Sequence, residues 1–137
     1  MLRKYKLCRK EDTTMRKSQV ERMNKINELI EVIANTDRKF FSHKNKEIDK
    51  FIEGKTTVFF YDSYLDKKLS LTYRNRNNFS HGGTLWGLVN DFKEWIITGK
   101  PSNGVNGYGG VYCPHWGYSE EGQLKVIEKA KEIGFIK

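Results

Sequence analysis

The sequence predicts an α+β fold, with a small antiparallel sheet of three to four strands, an N-terminal helix and two C-terminal helices. Three observations carry this expectation. Apolar residues recur at spacings of three and four in one segment near the start and in two near the end. Between them lie short runs of β-branched and aromatic residues. The links between those runs are too short for the crossovers that parallel strands need.

The first helix is expected over about 18–35, where Val20, Met23, Ile26, Ile30 and Ile33 form an apolar stripe between charged residues. Ser18 is its expected N-cap. Strand chemistry follows in "RKFFSH" (38–43), ambiguously in "KEIDKFI" (46–52), and clearly in "TTVFFYD" (56–62). "LSLTY" alternates, with Leu69, Leu71 and Tyr73 on one face. A second helix is expected over about 84–98, closed by Gly99 and Pro101. A third begins after Ser119, with Glu120 and Glu121 suited to the positive end of its dipole. Leu124, Ile127 and Ala130 are its expected inward residues, and Gly134 ends it.

The 137 residues suffice for one domain with a real core. The expected division is a basic, accessory N-terminal arm over 1–17 and a single ligand-binding domain over 18–137. Hydrophobic residues at 37% and aromatics at 13% suit a folded protein. No apolar run approaches the roughly 18 residues of a membrane span, and the N-terminus lacks the apolar core of a secretory signal. Cys8 and Cys113 match no redox or zinc spacing and read as reduced thiols. The net charge of +8 favours anionic partners without choosing among them.

Two stretches stand out. In "RNRNNFSHGGTLWGLVNDF" (74–92), two arginines precede a Gly-Gly turn that opens a helix. A helix start offers unpaired N–H groups and the positive dipole end, and glycines allow close approach. Arginine holds phosphate with paired hydrogen bonds. Phe79 offers a stacking ring and Asn90 an amide for a base edge. The competing reading is an ordinary strand-to-helix turn capped by Thr84, since neither a P-loop nor G-x-G-x-x-G is present. In "GKPSNGVNGYGGVYCPHWGY" (99–118), glycines and rings replace regular structure. Tyr108, Tyr112 and Trp116 suit stacking on a base or ribose, whereas Trp116 and Tyr118 equally suit pinning the third helix.

Support for catalysis is weak. Cys113 and His115 are close in sequence but lack an evident orienting group. His81 with His115 is the one acid–base pairing to defend. No metal-ligand spacing is visible, no cofactor is implied, and an enzyme is not expected.

The order "RKFF", "VFFYDSY", "KLSLTY", "NFSHGGTLWGLV", "WIITGK" and "WGY" resembles the phage-encoded Thoeris anti-defence proteins of the first type, over roughly residues 20–134. That resemblance implies a phage or prophage protein in the cytoplasm of the bacterial host. It implies a homo-oligomer that binds a cyclic ADP-ribose isomer made by a TIR-domain enzyme and holds it uncleaved. Some members of that family also take up cyclic oligonucleotides. Carried onto this chain, it assigns Arg74, Arg76, Gly82, Gly83 and Thr84 to phosphate or ribose, and Phe79 and Asn90 to the base. Arg38 aligns with the family's arginine before the aromatic pair, and Ser80 and Tyr108 complete the candidate set. Trp86 stands where a basic residue is expected, so packing or stacking replaces a phosphate contact there. The alternative is a nucleic-acid-directed phage protein, such as a nuclease inhibitor or a DNA-binding regulator. The basic charge suits it, but no helix-turn-helix or zinc-finger pattern does.

Overall fold

The computed structural model describes residues 15–36, 40–71, 79, 82–102, 109–113 and 118–137. Helix α1 (Lys17–Ala34) buries Met23, Ile26, Leu29, Ile30 and Ile33 on one face. Its N-cap is Arg16 rather than Ser18: the Arg16 N–H donates to Gln19 Oε1 at 3.0 Å, which ties off the turn two residues earlier. Met15, inside the segment assigned to the arm, is itself buried against the core.

Three strands follow, β1 (Lys50–Glu53), β2 (Val58–Asp62) and β3 (Lys67–Leu69), in an antiparallel sheet of order β1-β2-β3. The register pairs Phe51 with Phe60 and Phe60 with Leu69. That row, with Val58, faces the core, so Ile52, Phe59 and Tyr61 line the opposite, half-buried face. At the β1–β2 turn, a Cβ on Gly54 would stand 2.2 Å from the Thr57 carbonyl oxygen and 2.7 Å from the Phe59 ring, so only glycine fits.

The expected strand at 38–43 does not form in its described part. Phe40 and Phe41 lie in a turn, with Phe41 at φ 68°. Both rings are buried, and Phe41 meets Phe60 edge-on at 6.0 Å. Burial has overridden the β preference of the two aromatics, because a left-handed backbone cannot continue a strand.

Helix α2 (Gly82–Thr98) starts two residues before the expected Thr84, and Gly99 at φ 75° closes it as expected. Phe92 is fully buried, 5.0 Å from the Phe135 ring and 6.4 Å from the Phe51 ring, and so links the helix to the sheet and to the C-terminal tail. Arg22 donates to the Ile96 carbonyl at 2.9 Å and the Ile97 carbonyl at 3.3 Å. A cation there satisfies carbonyls that the end of α2 leaves unpaired. Asn27 exchanges two hydrogen bonds with the Phe51 backbone, at 2.7 and 3.0 Å, covering part of the free edge of β1 with α1.

Helix α3 (Glu120–Glu132) packs on α1. Ser119 Oγ accepts the Gly122 N–H at 3.1 Å, and Gly134 at φ 87° ends the last turn. Val126 and Ala130 are buried, and so is Ile133 just beyond the helix, but Leu124 is 59% exposed. Leu124 sits two residues from Val126, about 200° around the helix, so it cannot share the inward face. Among the described residues no helix is long and apolar enough to cross a membrane.

Candidate functional site

Two places offer chemistry to a ligand: the start of α2 and a groove beside the first turn of α3. The glycines expected to precede the second helix are its first two residues, so Gly82 and Gly83 present bare backbone in the opening turn. That turn contains no acidic residue, so it supplies no carboxylate of its own to the positive dipole end. Thr84 shares the turn. Lys93 anchors the helix by donating to the Leu71 carbonyl at 2.9 Å. Arg38, Arg74, Arg76, Ser80 and Tyr108 lie outside the described residues, as do His81, His115 and Trp116.

Phe79 is described and is a core ring: it is 4% exposed and stands 5.8 Å from Phe60. A ring so covered has no open face for a base. Asn90 is half-buried on α2, eight residues beyond Gly82 and so roughly 12 Å along the axis. It does not share a contact point with the helix start, and only a ligand of dinucleotide length spans both. Trp86 packs partly buried against the core, the packing alternative left open for it.

The groove was not legible as a unit. The short 3₁₀ turn Gly110–Tyr112 and the start of α3 flank an open groove of about 540 Å³. Tyr112, Tyr118, Leu124 and Ile127 form its apolar walls, and Ser119, Glu120 and Gln123 its polar points. Gln123 Nε2 donates to the Val111 carbonyl at 3.0 Å, joining the turn to the helix. Tyr112 and Leu124 are 43% and 59% exposed, large apolar groups open to solvent around one groove. The Tyr118 hydroxyl is buried and has no hydrogen-bond partner among the described residues. Burial, and then the nearby Cys113, raises its pKa, so the phenol stays protonated.

A third cluster is structural. His43 Nε2 lies 3.0 Å from Asp49 Oδ2, and Asp49 Oδ1 accepts from Ser63 N and Ser63 Oγ, both at 2.8 Å. With Asp62, their ligand atoms fall within 4.8 Å of one another, a grouping that sequence spacing did not announce. Yet Asp49 is spent on these bonds, and Asp62 Oδ1 accepts from Tyr64 N and Leu65 N at 2.9 and 3.3 Å. The cluster clamps the 41–49 loop to the β2–β3 turn. Asp49→Ala is expected to cost about 1–3 kcal/mol, since it orphans the buried Ser63 N–H; urea unfolding measures it. Burial raises the Asp49 pKa above 3.8, against its hydrogen bonds to Ser63 and His43. The folded state therefore holds this proton more tightly than the unfolded chain. The resulting stability is full below pH 3.8 and fades as pH rises through the raised folded value.

The described residues form a small α+β fold, three helices and a three-stranded antiparallel sheet. Residues 16–137 match the YoqU family, and the chain belongs to it. It is 42% identical over 121 residues to the SPbeta prophage-derived uncharacterized protein YoqU of Bacillus subtilis strain 168, covering 86% of this chain and 85% of that one. No solved structure matches the chain. The prophage source of that relative agrees with the phage provenance expected from the sequence.

Proposed function

We propose that this protein is a phage anti-defence protein that binds a cyclic nucleotide immune signal, a cyclic ADP-ribose isomer from a TIR-domain enzyme, and holds it without cleaving it. The observation that carries the reading is the start of α2. Two bare glycines and no carboxylate occupy its first turn, a short way downstream of Arg74 and Arg76 in a chain of net charge +8. A pyrophosphate needs backbone donors, a positive field and arginine, and this stretch offers all three. The prophage relative and the resemblance to the Thoeris anti-defence proteins supply the biological setting. On this reading the protein works in the cytoplasm of the bacterial host as a homo-oligomer. It removes signal in proportion to its own concentration and needs no cofactor. Cyclic oligonucleotides are a second ligand class to test.

A second reading, a nucleic-acid-directed protein, draws on the outer sheet face. There Tyr61 stands in register between Lys50 and Lys68, and the Lys68 ammonium lies 4.8 Å from the Phe59 ring centre. A salt titration separates the two readings. Binding of one pyrophosphate is expected to weaken gently as salt rises. A single strand held through many phosphates loses affinity with a slope of about −0.7 per phosphate on logarithmic axes. Tight binding of single strands with such a slope, and none of cyclic ADP-ribose isomers, would replace the first reading with the second.

A further inference from the structure

Helix α3 shows solvent a stripe that α1 leaves uncovered. Glu120, Leu124, Ile127 and Lys131 follow at spacings of four, three and four, which sets all four within about 60° of one another around the helix. The buried residues Gly122, Val126 and Ala130 lie on another side of it. Leu124 is exposed and Ile127 half-buried, while Glu120 and Lys131 are both exposed. Exposed Tyr112 widens the apolar patch across the open groove. The charges at the two ends of the stripe are uncommitted. Among the described residues neither Glu120 nor Lys131 is in an ion pair, whereas Glu121 pairs with Lys125 at 3.6 Å and Lys129 with Glu28 and Glu132 at 3.5 Å each.

An acid at one end, a base at the other and two aliphatic groups between make the stripe complementary to itself in one orientation only. We infer that α3 pairs antiparallel with α3 of a second copy of this chain, about a two-fold axis between Leu124 and Ile127. Leu124 then meets Ile127 of the partner subunit, and Glu120 meets Lys131 of the partner subunit, each contact occurring twice by symmetry. A parallel pair would set Glu120 against Glu120 and Lys131 against Lys131, and so repel at both ends. The antiparallel pair also places the positive dipole end of each helix beside the negative end of the other. The groove gives Leu124 of the partner subunit an apolar seat walled by Tyr112, Tyr118 and Ile127. With 13 residues, α3 is roughly 20 Å long. A face of that length is at the small end of specific interfaces, so a dissociation constant in the micromolar range is expected. The pairing supplies an interface for the homo-oligomer of the preceding reading, but it stands on α3 alone and needs no ligand.

The test is analytical ultracentrifugation of the full chain, without ligand, from micromolar to millimolar concentration. The wild type is expected to pass from monomer to dimer. Leu124→Glu is expected to weaken the dimer about a hundredfold, because it buries an unpaired charge at the axis. The melting temperature of dilute protein is expected to stay unchanged, since Leu124 is exposed in the single chain. Glu120→Lys and Lys131→Glu are each expected to weaken the dimer about tenfold, because each turns both end contacts into like-charge pairs. Mixed in equal amounts, these two variants are expected to recover the wild-type association. A stripe with lysine at both ends then meets one with glutamate at both ends. The proposal is overturned if the wild type stays monomeric throughout, which would leave the face to a different protein. It is equally overturned if Leu124→Glu leaves association unchanged, or if the mixture associates no better than either variant alone. Because no ligand is present, none of these results bears on whether a cyclic ADP-ribose isomer is bound at α2.

Discussion

Phe92→Ala is expected to destabilise the protein by about 3–5 kcal/mol, the largest effect of any single truncation proposed for this chain. Phe92 is fully buried, and its ring meets Phe51 on the sheet and Phe135 on the C-terminal tail. Trp95 adds an edge-on contact to Phe135 at 6.0 Å, so one layer of rings joins β1, α2 and the segment after α3. Removing the central ring opens a cavity that three separately anchored elements cannot close together. α1 is held to α2 by Arg22, and the Ser102 N–H donates to the Phe135 carbonyl at 2.7 Å. The measurement is urea unfolding at neutral pH, read as a shift in midpoint with the slope unchanged.

Phe79→Ala is expected to follow closely, at about 3–5 kcal/mol, and its importance is functional. If the ring were a stacking platform for a base, truncation would remove about 1–3 kcal/mol of binding and leave the fold intact. Its 4% exposure and its contact with Phe60 predict the opposite pattern. The melting temperature falls, and affinity measured on the remaining folded protein is retained. Unfolding and ligand titration on one sample separate the two.

The helices were legible because each carries an apolar stripe at a 3.6-residue period, which survives whatever packs against it. α1 and α2 were placed within two residues at each end, and Ser119, Gly99 and Gly134 do the capping expected of them. The sheet was harder. β1 fell at the end of the ambiguous 46–52 run, because four residues carry too little alternation to be read. Phe40 and Phe41 look like strand residues, yet they serve as core plugs in a turn, a role set by Phe60 on a distant strand. Leu124 was misplaced for a related reason: which stripe of α3 faces inward depends on where α1 lies. The groove depends on a bond between Val111 and Gln123, and the clamp on bonds from Asp49 to His43 and Ser63; neither leaves a motif in the chain. The Gly-Gly opening was legible, because bare glycines at a helix start are a property of the local sequence.

The central claim is sequestration, and one measurement addresses it most directly. The protein, in stoichiometric excess, is mixed with each of a panel of cyclic ADP-ribose isomers. Free ligand is then measured by mass spectrometry before and after heat denaturation. One isomer is expected to disappear from solution on mixing and to return intact and in full on heating. Return as cleaved product would make the protein an enzyme, and no disappearance of any isomer would contradict the proposed function outright.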